Sequence, residues 1–188
     1  MALQDRTKHA LADAMVELLK TKELHKIRIR DLCQLSGAER QTFYYHFRDK
    51  YELVAWIYLK DLEQSVKARN GIYDQNQLAG LLQLLQQKRT FYRKVFTDQN
   101  QNALGSYIYE YNVRGTEQLL QNRRPEIPLT EQERFRIRFF ASAWVAFMIR
   151  WILDPEDRSP EELADLIYQN LPSPLKDPFS DDLPFYPQ

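Results

Sequence analysis

Residues 40–47 crowd long hydrogen-bonding side chains onto one short amphipathic segment, and this segment carries the most informative chemistry of the chain. The polar side chains belong to Arg40, Gln41, Thr42, Tyr44, Tyr45 and His46, and they surround an apolar pair, Phe43 and Phe47. Arginine can bind guanine, and glutamine can bind adenine, through two hydrogen bonds each. Because the major groove of DNA admits one α-helix, the segment is typical of a helix that reads DNA bases.

Two short helices joined by a turn must position these side chains. Apolar spacing predicts the first helix at about 29–35 and the second at about 39–47. Gly37 lies between them, where a residue without Cβ adopts turn conformations at low cost. A helix at about 5–20 precedes the pair, and a fourth begins after Asp49, with Glu52 completing a pair like a capping box. The order predicts a helix-turn-helix unit.

The rest of the chain is predicted to be helical as well. No proline precedes Pro125 and only five glycines occur, so long helices are favoured. Further helices are predicted at about 50–69, 75–88, 91–96, 103–121, 131–153 and 160–171. Thr130 with Glu133, and Ser159 with Pro160, indicate two helix starts. The fold class is therefore all-α with about nine helices. The predicted domains are 1–50 for DNA binding, 51–172 for effector sensing and dimerisation, and a Pro-rich extended tail at 173–188.

Composition restricts the function classes. With 188 residues, 44% of them hydrophobic, the chain can bury a core, and its net charge is zero. Lys and Arg outnumber Asp and Glu only within residues 1–50, which indicates a basic face there. Cys33 is the single cysteine and no apolar run reaches the ~20 residues that span a bilayer, so a cytoplasmic protein without membrane contact is expected.

An enzyme is not expected, and neither is a cofactor or a metal. The sequence contains no nucleophile elbow, no phosphate-binding glycine loop and no recognisable Cys–His pair. His9 and Asp13 share a helix face as metal ligands do, but two ligands do not make a site, and a solvated pair is the simpler interpretation.

The amino-terminal part resembles the DNA-binding domain of the TetR/AcrR family of bacterial transcription regulators over about residues 8–57. The matching positions are Ile29, Asp31, Leu32, Gly37, the run from Thr42 to Phe47, Lys50, Glu52 and Leu53. Arg28 and Glu39 depart from the family, which commonly has Ser or Thr at both places. The resemblance implies a homodimer whose carboxy-terminal domain senses a small molecule or a protein. The run Lys88–Phe96 looks like the subgroup of dihydroxyacetone kinase operon regulators, in which a protein co-regulator can replace the ligand.

The predicted DNA contacts follow from this arrangement. Arg40 and Gln41 are expected to read bases, and Thr42 to touch a thymine methyl or a phosphate. Family counterparts imply phosphate contacts for Tyr44, Tyr45 and His46. Lys50 is expected to hold a phosphate together with the backbone N–H groups that begin the fourth helix, and Arg28 is a further phosphate candidate. Taken alone, Arg28 would be a solvated charge and Tyr44 could be half core.

Two sites are predicted in the carboxy-terminal part. An aromatic pocket for a hydrophobic effector could be lined by Phe91, Tyr92, Phe96, Tyr107, Tyr111, Trp144, Phe147 and Trp151, with Arg114 and Arg150 as polar groups. Alternatively, these aromatics simply fill a helical core. The helix at 131–153 is apolar around much of its circumference, so it is expected to dimerise together with the last helix. A two-fold dimer predicts a palindromic operator with half-sites roughly 34–36 Å apart, or a multiple of that.

The expected function is therefore a dimeric regulator that binds double-stranded operator DNA, and repression is the commoner mode in such a family. Control by a protein co-regulator instead of a small ligand is the first alternative. A helical protein-interaction module that does not bind DNA is the second. The sequence identifies neither the operator nor the regulated genes.

Overall fold

A computed structural model describes residues 3–67, 75–98, 102–154 and 158–171, and these ranges contain nine α-helices and no β-strand. A single 3₁₀ turn, Leu24–Lys26, precedes α2. The helices are α1 Leu3–Thr21, α2 Ile29–Ser36, α3 Arg40–His46, α4 Lys50–Lys67, α5 Gln75–Gln87, α6 Arg89–Phe96, α7 Asn102–Arg123, α8 Glu131–Leu153 and α9 Pro160–Gln169.

The prediction of an all-α fold with about nine helices is confirmed. Each predicted helix is present, and the ends differ by one or two residues because terminal turns are set by local caps. The 3₁₀ turn was not predicted. The predicted tail at 173–188 lies outside the described residues.

The chain forms two compact units, and each unit is made of two separate stretches of the sequence. The head unit comprises the described residues of 1–60 and 89–104, and the body unit comprises those of 61–88 and from 105 onward. Both α4 and α7 therefore begin in the head unit and end in the body unit. These units are defined by packing, whereas the predicted functional boundaries at residues 50 and 172 remain a prediction.

The head unit is built on α1, which packs against α2 and α6, while α2 packs against α3. Its buried apolar side chains include Leu11, Met15, Leu32, Phe43 and Phe47. Between α2 and α3, Gly37 has φ of 73°, which a residue with a Cβ adopts only with strain. The tight turn therefore depends on this glycine, as the sequence predicted.

The body unit contains the pair α5 and α9 and a core formed around α7 and α8. Side-chain amides on α5 reinforce the first pair, because Gln75 donates to Asp165 and Gln83 donates to Glu161. The core around α7 and α8 consists of Val113, Leu120, Leu129, Ile137, Ala141 and Leu171. On α7, Gly105 lies against α8, where an added Cβ would come within 3.4 Å of the Ile149 side chain.

Both predicted helix starts of the body unit carry a capping box, and the box at Thr130 was itself predicted. The Thr130 hydroxyl accepts a hydrogen bond from the Glu133 backbone N–H at 3.3 Å, and the Glu133 carboxylate accepts one from the Thr130 N–H at 2.8 Å. Ser159 and Glu162 make the same reciprocal bonds at the start of α9, at 3.1 and 2.9 Å. Each box satisfies N–H groups that a helix terminus otherwise leaves unpaired.

The box at Thr130 predicts a pH-dependent contribution to stability. The Thr130 N–H, the Thr130 hydroxyl and the Arg124 guanidinium together lower the pKa of Glu133 from 4.5 to about 2. Because the pKa is depressed in the folded state, the stabilisation is complete above pH 4.5 and is lost as the pH falls toward 2. We expect Glu133→Gln to lower the free energy of unfolding by about 1 kcal/mol at pH 7. In urea denaturation, this difference from wild type should shrink steadily below pH 4.5.

Glu131→Gln is the matched control, since Glu131 is exposed in the same helical turn and lies outside the box. A difference between wild type and Glu133→Gln that stays constant with pH would contradict this account of the cap.

Candidate nucleic-acid interface

The third helix buries one face and exposes the other. Phe43 and Phe47 point into the head unit, with 0% and 3% of their surface exposed. On the opposite side, Tyr45 is 72% and Tyr44 is 48% exposed. Arg40 and Gln41 are exposed as well, whereas Thr42 and His46 are partly buried. All six predicted polar residues therefore lie on α3, and most of them face outward.

Arg40 is oriented by its neighbour one helical turn on. A guanidinium N–H donates to the Tyr44 hydroxyl at 3.4 Å, and the guanidinium carbon lies 5.6 Å from the centre of the tyrosine ring. The Tyr44 ring meets the buried Phe43 ring edge-on at 5.5 Å. Residues four apart on a helix are neighbours, so this pair can restrict the guanidinium before any ligand arrives. The alternative that Tyr44 is half core is thus partly right, because its ring contacts the buried Phe43 ring while about half of its surface is exposed.

The surroundings of His46 favour the neutral form of its imidazole. Partial burial, and then the positive charge of Lys8, lower the pKa of its imidazole from 6.5. Its ring lies 5.0 Å from the Tyr45 ring. A neutral imidazole can still donate or accept one hydrogen bond, but it supplies no positive charge to a phosphate.

At the start of α2, a carboxylate three residues into the helix caps the backbone N–H of Arg28. The Asp31 carboxylate accepts a hydrogen bond from the Arg28 backbone N–H at 3.3 Å and one from the Lys22 ammonium at 3.1 Å. The bond from Lys22, followed by that from Arg28, lowers the pKa of Asp31. The Arg28 side chain remains exposed, next to the turn that leads into α2.

Lys50, which was predicted to hold a phosphate, makes hydrogen bonds to the backbone of the head unit. Its ammonium donates to three backbone carbonyl oxygens, those of Leu24 at 2.6 Å, His25 at 3.1 Å and Ile27 at 3.0 Å. Burial lowers the pKa of this ammonium, while the charges of Asp98 and Asp49 oppose that effect.

The predicted pocket residues are divided between the two units. Phe91, Tyr92 and Phe96 are buried in the head unit, where the Tyr92 ring lies 6.3 Å from the Tyr58 ring. This placement fits the alternative that these aromatics fill a core. The remaining candidates lie in the body unit: Trp151 is buried, Tyr111, Trp144 and Phe147 are partly buried, and Tyr107, Arg114 and Arg150 are exposed.

Two features of the structure were not predicted from the sequence residue by residue: an exposed apolar surface and a buried carboxylate. Phe135 and Phe139 on α8 are 65% and 67% exposed, and their rings stack at 6.1 Å. Leu166 on α9 is a further exposed apolar side chain of the body unit. Asp98 is a buried carboxylate that accepts a hydrogen bond from the Tyr51 hydroxyl at 3.4 Å and lies 3.9 Å from the His25 ring nitrogen. The periodicity of α8 indicated an unpartnered apolar face, whereas nothing in the sequence indicated Asp98.

Comparison with known proteins defines the class. The family described as bacterial regulatory proteins of the tetR family matches residues 11–57, and a transcriptional regulator carboxy-terminal region of that family matches residues 75–173. The second match alone covers more than half of the chain. The chain therefore belongs to the TetR family of transcriptional regulators, and α2 and α3 form its DNA-binding helix-turn-helix.

Two of the similar proteins are dihydroxyacetone kinase operon activators named DhaS. The dhaKLM operon transcriptional activator DhaS of Lactococcus lactis is 33% identical over 91 residues, which is 48% of this chain and 49% of the relative. The match thus spans about half the length of that protein. A solved structure of a dihydroxyacetone kinase operon activator DhaS is 26% identical with a TM-score of 0.56, over 93% of this chain and 98% of the other.

A TetR regulator from Streptococcus agalactiae, 19% identical, has a TM-score of 0.55 over 87% of this chain and 92% of its own, and supports the fold alone. None of the helices in the described parts of the chain has the length and hydropathy needed to traverse a lipid bilayer.

Proposed function

We propose that the chain binds a palindromic DNA operator as a homodimer, through the outward face of α3, in the bacterial cytoplasm. The observation that carries this proposal is the exposure of Arg40, Gln41, Tyr44 and Tyr45 above a buried Phe43. Hydrogen-bonding side chains on an outward helix, with Gly37 fixing the preceding turn, suit insertion into the major groove. We assign base reading to Arg40 and Gln41, and contact with a thymine methyl or a phosphate to Thr42. Phosphate contacts are assigned to the remaining predicted residues, which are Tyr44, Tyr45, His46, Lys50 and Arg28.

The dimer is proposed to form through α8 and α9. Stacked Phe135 and Phe139 expose apolar surface that water solvates poorly, and Leu166 supplies a further apolar group. Ala143 and Ala146, also exposed, are small enough to let a second helix approach closely. A two-fold axis through this surface would pair it with its own copy and would double every contact.

The test is selection of a duplex from a randomised pool, followed by equilibrium binding to the selected duplex and to a shuffled duplex. We expect preferential binding to a palindromic sequence, with an affinity that falls as salt rises by a slope of about 0.9 per neutralised phosphate on logarithmic axes. Failure to select any sequence, or an affinity that does not respond to salt, would favour the alternative of a protein-interaction module without DNA binding.

The mode of regulation has two candidates. The family resemblance predicts repression, whereas the Lactococcus lactis relative is named an activator, which favours activation. A reporter gene placed downstream of the selected duplex distinguishes them, because deletion of the regulator raises expression under repression and lowers it under activation.

The controlling signal also has two candidates. A hydrophobic effector would need the predicted aromatic pocket, yet the two arginines assigned to it, Arg114 and Arg150, are exposed in the single chain, and Arg114 pairs with Glu110 at 3.5 Å. This exposure, together with the DhaS similarity, favours a protein co-regulator that binds the carboxy-terminal part.

A further inference from the structure

Arg40 and Tyr44 form a contact pair on the outward face of α3. The guanidinium donates to the Tyr44 hydroxyl at 3.4 Å, and its carbon lies 5.6 Å from the centre of the Tyr44 ring, so it meets both the hydroxyl and the ring. Within the described ranges, no carboxylate forms an ion pair with this guanidinium. Its charge therefore stays available to DNA while Tyr44 limits where the group can go.

The Tyr44 ring is itself held by the core of the head unit. It meets the Phe43 ring edge-on at 5.5 Å, and Phe43 is 0% exposed and lies 5.9 Å from the Phe47 ring. A tyrosine has only two side-chain torsions, so one ring contact restricts it strongly. Arginine has far more rotamer freedom to lose on binding. The pair thus passes order from the buried core to an exposed guanidinium.

The contact leaves both groups able to bind DNA. Arginine has five N–H donors, of which Tyr44 takes one, and a guanine needs two. The Tyr44 hydroxyl accepts the bond from Arg40 and keeps its own O–H, which can donate to a phosphate. Holding the arginine and contacting the backbone therefore do not compete, and one side chain can do both.

We propose that Tyr44 is a positioning residue for base recognition by Arg40, in addition to its phosphate contact. It orders the guanidinium before DNA arrives, so that less side-chain entropy is lost when the base is bound. This inference rests on the proposed DNA-binding function and deepens it, because it makes sequence preference depend on a residue that reads no base itself.

The ratio of the affinities for the selected and the shuffled duplex measures this role. A lost phosphate contact weakens both complexes alike and cancels in the ratio. Tyr44→Leu removes the ring and the hydroxyl, and we expect it to lower the ratio about tenfold in the dimer. Tyr44→Phe keeps the ring, so it should recover about half of that loss on a logarithmic scale. Circular dichroism should show both variants folded, since Tyr44 is half exposed.

Two controls identify Arg40 as the group through which Tyr44 acts. Tyr45→Leu removes the neighbouring tyrosine, which is 72% exposed and whose ring meets the His46 ring at 5.0 Å, and it should leave the ratio unchanged. In the Arg40→Ala background, Tyr44→Leu should also leave the ratio unchanged, because the guanidinium that it positions is gone.

Either of two results would overturn the proposal. A wild-type ratio for Tyr44→Leu would show that Tyr44 contacts phosphate alone. An equal effect of Tyr44→Leu with and without Arg40 would show that it does not act through the arginine. A wild-type protein that shows no preference for the selected duplex would count against the proposed function instead.

A measurement on the free wild-type protein tests the same pair without any variant. Nitrogen-15 relaxation reports the mobility of an arginine Nε–H on the picosecond to nanosecond timescale. We expect a higher order parameter for Arg40 than for Arg30, an exposed arginine of α2. Equal order parameters would contradict the proposal, because the guanidinium would then be unrestricted before it meets DNA.

Discussion

Phe139→Glu is expected to yield a monomer and to weaken operator binding by about a hundredfold or more, because a monomer loses the gain from engaging two half-sites at once. Phe139 is 67% exposed and stacks on Phe135, so the folded monomer should tolerate a glutamate there. In a two-fold interface the substitution occurs twice, and each carboxylate would be buried against apolar surface without a partner.

Sedimentation equilibrium measures the dimer, and equilibrium binding measures the affinity for the selected duplex. Val16→Glu is the control, since Val16 is an exposed apolar residue on α1 of the head unit and is not part of the proposed interface. Both proteins should show unchanged helical circular dichroism. A Phe139→Glu variant that sediments as the wild-type species would place the dimer interface elsewhere.

Arg40→Ala is expected to abolish most sequence preference. A bidentate arginine–guanine contact is worth about 1–3 kcal/mol, so its loss from both copies of a dimer would cost about 2–6 kcal/mol on the selected duplex. Binding to the shuffled duplex should change much less, because that binding depends mainly on phosphate contacts. The ratio of the two affinities is therefore the informative quantity.

Arg48→Ala provides the matched control. Arg48 follows α3, is 86% exposed and pairs with Asp49 at 3.3 Å. The Arg48→Ala substitution therefore removes the same charge from the same unit as Arg40→Ala does. We expect any loss for this variant to be equal on both duplexes. An equal loss on both duplexes for Arg40→Ala would instead show that Arg40 contacts a phosphate.

The positions of the helices could be predicted from the local sequence to within one or two residues at each end. The scarcity of glycine and proline leaves helix as the default, and apolar residues three and four apart mark the buried faces. Capping pairs such as Thr130 with Glu133 involve residues three apart, so the sequence alone predicted the start of α8. The outward face of α3 followed from the same periodicity, since Phe43 and Phe47 had to point inward.

Features that depend on distant residues could not be predicted. The partners of the Lys50 ammonium lie 23 to 26 positions earlier in the chain, and no local pattern indicates that the side chain turns back toward them. The burial of Asp98 likewise depends on how the end of α6 meets Tyr51 and His25. For α8, periodicity indicated a second apolar face, but a phenylalanine destined for an interface has the same sequence signature as one in a core. Only the folded chain shows that Phe135 and Phe139 are left uncovered.

The alternation of the chain between its two units has a consequence for evolution and for protein engineering. The head unit is not a continuous stretch, since its core takes Tyr92 and Phe96 from α6 while Tyr58 comes from α4. A recombinant that grafted residues 1–60 onto a foreign receptor would leave Tyr58 without its native neighbour. To exchange DNA specificity between relatives of this architecture, α6 must therefore be transferred together with residues 1–60. A single crossover cannot achieve this without also transferring α5, which lies between them in the sequence.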